Sequence, residues 1–375
     1  MKPIRLAKSI IGIEESEAVR KVLLDDGYLG MGNEVKIFEE DISKFLEVSP
    51  QNVACVNTGT AAVHLAIQAS LKQGDEILVQ SLTFVASYQA ISACGVIPVH
   101  CEVDPDTLTI DLNDAEKKIT SKCKAIMAVH YASYPSELDE IYEFAKKHNL
   151  RVIEDAAHAF GCVYNGKKIG SIGDIICFSF DGIKNITSGE GGAVVSSDLR
   201  IMQLVRDARL LGVENDTEKR YSNQRSWDFD VKKQGYRFHM SNINAAIGRV
   251  QLNRLVKEFS IKRVSLAKLY RKNLEANTNI ELLKTNLGDV IPHLQPIKVL
   301  FGKRDKLKNE LEKLGIPTGI HYKPNHLLTF YGGGSESLPV TEKVYNEILS
   351  LPLHPEISEN EVVSICDAVN RILNE

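Results

Sequence analysis

The sequence of 375 residues predicts an α/β protein with a three-layer large unit, in which helices cover both faces of a mostly parallel sheet, and a smaller C-terminal α+β unit. Short β-branched runs alternate with helical segments from Asn52 to Val195, a pattern typical of a parallel sheet buried between helices. A chain of this length exceeds the usual size of one hydrophobic core, so two packed units are expected. Residues 1–250 are predicted to form the large unit with an N-terminal helical segment, and residues 251–375 the small one.

Each element follows from its local pattern. An amphipathic helix is expected over Glu14 to Asp25, and after a glycine-rich turn, Gly27–Gly32, a second helix ends near Leu46. The alternating region is predicted to contain, in order, strand Val53–Val56, helix Ala61–Leu71, strand Glu76–Val79, helix Val85–Cys94, strand Ile97–Cys101, strand Ala125–His130, helix Leu138–His148, and strands Arg151–Glu154, Ile175–Phe180 and Ala193–Ser196. In such sheets ligands bind beyond the carboxyl ends of the strands, so the residues after each strand are the candidates for chemistry.

In the C-terminal third, the alternation of short strands and helices gives way to longer helical patterns. Apolar residues recur at helical spacing from Asn242 to Leu274, which predicts a long helix that links the two units. Beyond it, a strand is predicted over Val290–Val299 and helices near Arg304–Leu314 and Glu361–Leu373. These elements are enough for a compact α+β unit.

The composition narrows the functional class. Apolar residues make up 43% and charged residues 25% of the chain, the balance of an ordinary globular protein. The net charge of -4 carries no long basic stripe, so small molecules are expected as partners rather than nucleic acid or a membrane. Seven cysteines include no C-x-x-C pair, which is typical of reduced core thiols in a cytoplasmic protein, and no metal site is predicted. The segment Met1–Ser9 lacks the apolar run of a signal peptide.

Two strand-end segments offer groups for an aromatic phosphate ester. In Asn57–Ala62, Gly59 allows close backbone approach, Thr60 offers a hydroxyl, and the first amides of the following helix favour an anion. Plain helix capping is the alternative for this segment. In Ser81–Ala86, Phe84 is placed to lie against an aromatic ligand, with a core position as the alternative.

A third segment, Val152–His158, ends an apolar strand with a carboxylate, two small residues and an imidazole. Asp155 could pair with a protonated pyridine nitrogen and keep the ring cationic, which a pyridoxal electron sink needs. The small Ala157 would let the ring lie against the backbone, and His158 could donate a hydrogen bond to a phenolic oxygen. Capping of a following helix by the carboxylate is the alternative.

The fourth segment, Cys177–Gly192, is the most informative. Lys184 lies in a loop between two apolar strands and is followed by the turn Gly189–Gly192. A lysine enclosed in this way loses affinity for a proton, as a Schiff-base amine must. Ser179 is placed to give a second hydroxyl to a phosphate. Most lysines are solvated surface charges, so the neighbouring motifs carry this assignment.

Taken together and in this order, the motifs resemble those of the DegT/StrS sugar-nucleotide aminotransferases, a family of fold type I pyridoxal-phosphate enzymes. The resemblance spans nearly the whole chain. Its further segments are Gly27–Gly32, Met240–Ser241, Ala245–Gly248, Ile320–Pro324 with His326, and Leu349–Pro355. It implies an aspartate-aminotransferase-like fold, a transaminase, and pyridoxal 5'-phosphate as the cofactor.

The resemblance also implies roles for individual residues. Lys184 carries the cofactor as a Schiff base. The other implied cofactor contacts are Gly59, Thr60, Ala61 and Ser179 at the phosphate, Phe84 and Ala157 at the ring, Asp155 at the pyridine nitrogen and His158 at the phenolic oxygen. One segment departs from the family: many members have Gly-Tyr-Asn-Tyr-Arg-Met-Ser where this chain has Gly235–Ser241, with Arg237 at the Asn position. Arg237 is therefore a candidate contact for the cofactor phosphate or for the phosphates of a sugar nucleotide.

Substrates and assembly are implied in the same way. L-glutamate is the implied amino donor, and a dTDP-linked sugar, dTDP-4-keto-6-deoxy-D-glucose aminated at C4, is the favoured acceptor, while GDP- and UDP-linked sugars and C3 amination stay open. A homodimer with shared active sites is expected, in which Tyr28 and the segment near Tyr236 reach into the partner's site. His321, Tyr322 and His326 are the candidates for sugar contacts, with ordinary hydrogen bonding in a turn as the alternative for the histidines.

Two rival functions are weighed against these residues. Sugar dehydratases on this scaffold have a histidine in place of the catalytic lysine, and Lys184 argues against that reaction. A non-catalytic relative is argued against by the presence of Lys184, Asp155 and Ser179 together.

Overall fold

A computed structural model describes residues 4–135 and 137–375, so residues 1–3 of the N-terminal segment lie outside the described part. The strands are β1 (Val53–Val56), β2 (Glu76–Gln80), β3 (Ile97–Cys101), β4 (Cys123–Val129), β5 (Arg151–Asp155), β6 (Val163–Tyr164), β7 (Lys167–Lys168), β8 (Ile175–Ser179), β9 (Gly192–Val195), β10 (Ile280–Leu282), β11 (Gln295–Val299) and β12 (Ile348–Leu351). The predicted strands between Asn52 and Val195 are thus present, with ends that shift by one or two residues.

Helices surround these strands. They are α1 (Ile13–Lys21), α2 (Asn33–Leu46), α3 (Gly59–Ser70), α4 (Val85–Ala93), α5 (Leu112–Lys118), α6 (Leu138–His148), α7 (Leu199–Ala208), α8 (Asp216–Tyr221), α9 (Asn242–Arg254), α10 (Ser260–Leu274), α11 (Arg304–Lys313), α12 (Pro339–Glu347) and α13 (Glu359–Asn374). A π-helical turn, Leu255–Phe259, joins α9 to α10, so the predicted long helix is continuous but changes its hydrogen-bond register midway. A second π turn, Val22–Asp26, extends α1.

The large sheet has seven strands in the order β1-β9-β8-β5-β4-β2-β3. Neighbouring strands from β8 to β3 are parallel, whereas β9 runs antiparallel to both β1 and β8. The predicted mainly parallel sheet is confirmed, and the reversed β9 is what lets the chain return directly after the loop that carries Lys184. No residue pattern in the sequence distinguished the direction of this strand.

Helices cover both faces of the large sheet because its strands are apolar on both faces. In β4, Ile126 and Ala128 belong to one core, together with Phe178. Ala125 and Met127 belong to the opposite core. Each strand is therefore buried between two helical layers, and polar side chains collect at its ends.

The C-terminal region contains an antiparallel sheet of three strands, β10-β11-β12, whose apolar face packs with α10, α11 and α13. The predicted strand over Val290–Val299 is too long, since only Gln295–Val299 is extended and paired. In the irregular part, the carbonyls of Pro292 and His293 accept hydrogen bonds from Arg263 instead of pairing with a strand. The predicted boundary at residues 250 and 251 falls within α9 and stays a prediction. Within residues 4–135 and 137–375, no helix is both long and apolar enough to span a bilayer.

Candidate active site

A cleft of about 370 Å³ opens at the carboxyl ends of the large sheet. Its size is within the range of small-molecule sites. Ten of the predicted site residues line it: Gly59, Thr60, Phe84, Asp155, Ala157, His158, Ser179, Lys184, His321 and Tyr322. These residues come from five separate stretches of the chain. Such convergence is expected for a site built at the carboxyl ends of strands.

Lys184 is partly buried at the base of this cleft, in the loop between β8 and β9. The amide Nδ2 of Asn185 holds the loop by donating to the carbonyls of Phe160 (3.2 Å) and Ile291 (3.0 Å). Within the described residues, Nζ of Lys184 makes no hydrogen bond and no ion pair. Burial lowers the pKa of Lys184 to about 8, although the carboxylates of Asp155 and Asp181 act in the opposite direction. A larger fraction of this amine than of an ordinary lysine is therefore neutral and nucleophilic near neutral pH.

Asp155 ends β5 and is buried beside the cleft. Its Oδ2 accepts a hydrogen bond from Ser87 Oγ at 2.7 Å, and its Oδ1 accepts one from the amide of Ala157 at 3.2 Å. No helix begins after Asp155, because residues 156–162 form turns, so helix capping does not explain this carboxylate. These two hydrogen bonds hold the carboxyl group in one orientation.

The N-terminus of α3 forms the end of the cleft next to Ser179. A Cβ added at Gly59 would lie 2.6 Å from the Cβ of Ser179, so only glycine permits this approach. Thr58 caps the helix, and its Oγ1 accepts from the amide of Ala61 at 2.9 Å. That amide is paired with Thr58, and Ala61 lies outside the cleft lining, so the phosphate contact of Ala61 stays a prediction. The earlier amides of Gly59 and Thr60 have no partner within the helix.

Aromatic and imidazole groups form the wall opposite α3. Nε2 of His158 lies 3.2 Å from the hydroxyl of Tyr322, whereas its buried Nδ1 has no partner among the described residues. Burial, together with the charge of Lys184, lowers the pKa of His158 well below the usual value, so the ring is neutral. Phe84 is 54% exposed and lies 5.4 Å from Tyr322 between ring centroids, which excludes the core position considered for it.

His321 also lines the cleft. Its Nδ1 pairs with Ser350 Oγ at 2.9 Å, and burial followed by the charge of Lys184 lowers its pKa to about 4. A third imidazole, that of His293, lies next to His158, with ring centroids 4.4 Å apart and ring planes inclined by 38°. Burial lowers the pKa of His293 well below the usual value too. Burial therefore keeps two imidazoles of the cleft lining, those of His158 and His321, in the neutral form.

His326 is not brought to the cleft. It is almost fully buried; its Nδ1 pairs with Ser81 Oγ at 2.8 Å and its Nε2 lies 3.3 Å from Glu342 Oε1. Both ring nitrogens thus have partners, as the alternative of ordinary hydrogen bonding expects, and the sugar contact of His326 stays a prediction.

Tyr28 and Arg237 also lie outside the cleft lining of this chain. The carbonyl of Tyr28 accepts from Asn242 Nδ2 at 2.8 Å, which fixes the glycine-rich turn against the start of α9. Arg237 is exposed, and its segment is anchored where the amide of Asn57 donates to the carbonyl of Phe238 at 2.7 Å. The predicted reach of both side chains into a partner's site stays a prediction.

Several residues in or next to the site were not predicted from the sequence. Ser87 orients Asp155, and it lies one residue beyond the quoted Ser81–Ala86 segment. His130 lines the cleft and pairs with Glu154 at 3.0 Å; its position at the end of a predicted strand could have indicated it. Nothing in the sequence marked His293, because its stretch had the pattern of a strand.

The arrangement fits pyridoxal phosphate. An amine without a protein partner, a fixed buried carboxylate and a helix N-terminus with two hydroxyls lie in one cleft. They match an aldehyde, a pyridinium nitrogen and a phosphate respectively.

Comparisons with known proteins agree with this chemistry. The model of the DegT/DnrJ/EryC1/StrS aminotransferase family matches residues 9–370. GDP-perosamine synthase of Escherichia coli O157:H7 is 34% identical over 380 residues and the match covers 100% of both chains. The dTDP-4-dehydro-2,3,6-trideoxy-D-glucose 4-aminotransferase of Saccharopolyspora spinosa is 33% identical over 372 residues, covering 97% of this chain and 95% of that one. The solved PLP form of Spr1654 from Streptococcus pneumoniae has a TM-score of 0.90 at 27% identity and covers 99% of each chain.

Proposed function

Since the chain belongs to the DegT/DnrJ/EryC1/StrS aminotransferase family, and is a PLP-dependent sugar aminotransferase, we propose that it moves the amino group of L-glutamate to C4 of a nucleotide-linked 4-keto sugar. The balanced reaction converts glutamate and keto-sugar into 2-oxoglutarate and amino-sugar. The favoured acceptor is dTDP-4-keto-6-deoxy-D-glucose.

One observation supports transamination more than any other. Lys184 has no partner for its amine among the described residues, and its pKa is lowered to about 8 by burial. A structural lysine would be paired or solvated, whereas an amine that must bind a carbonyl and later carry a proton needs this state.

The chain's residues divide the work. When bound, the cofactor supplies a carbonyl for the amine and an electron sink for the electron pair released at the α-carbon of the donor. Asp155, oriented by Ser87 and the amide of Ala157, would hold a proton on the pyridine nitrogen. Gly59 and Thr60 at the start of α3, with Ser179, would bind the phosphate.

Lys184 acts twice in this scheme. Once the donor's amine has displaced it, Nζ takes the proton from the donor's α-carbon, and in the second half-reaction Nζ delivers a proton to C4 of the sugar. An amine with a pKa near the working pH suits both directions of transfer. His158 and His321, neutral because of burial, would line the site without competing for the proton.

A GDP-linked 4-keto sugar is the second candidate acceptor. It is favoured by the similarity to GDP-perosamine synthase, which at 34% identity is as close as the dTDP-sugar enzyme at 33%. His321 and Tyr322 are proposed to contact the sugar in either case.

Separated half-reactions test the proposal. Purified protein loaded with pyridoxal phosphate is expected to lose its visible absorbance on addition of L-glutamate. dTDP-, GDP- and UDP-linked keto-sugars are then added one at a time, and the dTDP-linked 4-keto sugar is expected to restore the absorbance. Restoration by another nucleotide sugar would reassign the acceptor, and a loaded protein with no visible absorbance would contradict the role of Lys184.

We also propose a homodimer in which Tyr28 and Arg237 of one protomer serve the site of the other. Both side chains lie outside the cleft lining of their own chain although their segments are firmly anchored. An anchored group that serves no site in its own protomer is suited to serving the partner's.

A further inference from the structure

Asn325 is a buried residue that neither composition nor motif marked as functional. Its side-chain Nδ2 donates to the carbonyls of Ser81 (3.0 Å) and Thr83 (2.9 Å), and its own amide donates to the Ser81 carbonyl at 2.9 Å. The next residue, His326, donates its amide to Ser81 Oγ at 3.0 Å and pairs through Nδ1 with the same oxygen. We call these hydrogen bonds, which join 325–326 to 81–83, the clasp.

The clasp connects the two segments that carry the aromatic wall of the cleft. Phe84 follows Thr83 directly and is the N-cap residue of α4. Tyr322 precedes Asn325 by three residues in the loop between α11 and α12. The two rings lie 5.4 Å apart between centroids, so their spacing depends on how the clasp sets one segment against the other.

The remaining site groups are held by other means. Lys184 is fixed through Asn185, and Asp155 through Ser87 and the amide of Ala157. Ser87 Oγ also lies 3.1 Å from Thr83 Oγ1 of the clasp, whereas the hydrogen bonds of Asn185 and of the Ala157 amide do not involve clasp residues. Loosening the clasp should therefore change the aromatic wall of the cleft while the amine stays in place and the carboxylate is still held by the Ala157 amide.

From this separation we propose that Asn325 is a positioning residue for the acceptor sugar. By holding Thr83 and the loop of Tyr322 together, it sets the position of Tyr322, which is proposed to contact the nucleotide sugar, relative to Phe84 at the cofactor ring. The small donor reacts at Lys184 and depends less on that position. This inference rests on the proposed function.

The two half-reactions of Asn325→Ala test it. The apparent KM for the keto-sugar is expected to rise about tenfold, while the maximum rate and the glutamate half-reaction stay within about twofold of wild type. Asn370→Ala is the matched control, because Asn370 Nδ2 also donates to a backbone carbonyl, that of Asn273 at 3.0 Å, but far from the cleft. Equal losses in both half-reactions would overturn the proposal.

A double variant separates positioning from general destabilisation. If Asn325 acts through Tyr322, adding Asn325→Ala to Tyr322→Ala should raise the sugar KM no further than Tyr322→Ala alone. If the double variant raises the sugar KM by the product of the two single effects, Asn325 acts by another route.

Amide hydrogen exchange provides a readout without substrate. In Asn325→Ala, exchange should become faster in both 81–84 and 319–326 and remain unchanged in 155–158. If no keto-sugar reacts with the wild-type protein, the proposed acceptor class is wrong, and unchanged exchange in either segment of the clasp would then overturn the clasp as well. Should Asn325→Ala not fold, Ser81→Ala removes only the hydroxyl paired with His326 and must show the same split between half-reactions at a smaller size.

Discussion

The amine of Lys184 is the atom whose protonation the surrounding chain controls most directly. In cofactor-free protein, the rate of pyridoxal phosphate binding should rise with pH and level off above a midpoint of about 8, because only the neutral amine attacks the carbonyl. Stopped-flow absorbance measured from neutral to alkaline pH gives this midpoint. A midpoint at the ordinary lysine pKa, about 10.4, would contradict the burial of the amine.

The carboxylate of Asp155 should shift this midpoint in a defined direction. Its negative charge favours the ammonium form and so raises the pKa of Lys184 against the effect of burial. Asp155→Asn removes that charge, and the midpoint should move to lower pH. Asp181→Asn is the matched variant, expected to give a smaller shift of the same sign because Asp181 is the weaker of the two causes. A shift to higher pH in either variant would refute this electrostatic account.

Residue types at strand ends were predictable, whereas residues in irregular loops were not. Asp155 and Lys184 stood out because apolar strands precede them and small or glycine residues follow. His321 and His326 lie in the same loop, where no periodicity tells which side chain faces the cleft. Hydrogen bonds to Ser350 and Ser81, distant in sequence, decide their directions.

At the scale of elements, the packing of α3 against the end of β8 is expected to determine both stability and the affinity for the cofactor. Gly59→Ala would place a methyl group 2.6 Å from the Cβ of Ser179 and force the helix away from the strand. We expect a loss of about 1–3 kcal/mol in the free energy of unfolding and a weaker affinity for pyridoxal phosphate. Chemical denaturation and equilibrium titration with the cofactor measure the two effects.

Gly288→Ala serves as the comparison for that variant. The nearest atom to its added methyl group is the side-chain oxygen of Asn286 at 3.2 Å, which accepts the amide of Gly288 but belongs to an exposed side chain outside the cleft lining. Its cofactor affinity should equal that of wild type. Equal affinity in Gly59→Ala would mean that the approach of α3 to Ser179 does not shape the phosphate end of the cleft.

The elements themselves were largely predictable where apolar periodicity was strong. The strands of the large sheet are continuous apolar runs because both faces are buried, and their bounds were close to those observed. The stretch 290–294 resembled a strand in composition, yet Pro292 has no amide to donate and its carbonyl accepts from Arg263. Tertiary hydrogen bonds of this kind leave no local pattern in a sequence.

At the scale of the whole molecule, the proposed shared sites allow a complementation experiment. Lys184→Ala should be inactive in its own cleft, and a double variant, Tyr28→Ala with Arg237→Ala, should fail to serve its partner's. Mixed after subunit exchange, the two inactive proteins should regain about a quarter of wild-type activity, because half of the dimers carry one intact site. Steady-state assays of the mixture measure this recovery, with each variant alone as the control.

No recovery in a mixture that sedimentation shows to contain dimers would place each site within a single protomer. The exposed Arg237 would then be assigned to its own chain, for instance to the phosphates of the nucleotide sugar.

The position of β1 in the sheet has a consequence for biosynthesis. Val53–Val56 pairs with Gly192–Val195, a strand that the ribosome makes much later, so β1 emerges with its lasting partner still unsynthesised. Helix α2 is already complete by then, and its Glu39 Oε1 accepts the amide of Cys55 at 2.7 Å. We expect this helix to protect the nascent strand from aggregation until β9 has been synthesised. The part of the site at the start of α3, which follows β1, is therefore expected to form late in folding.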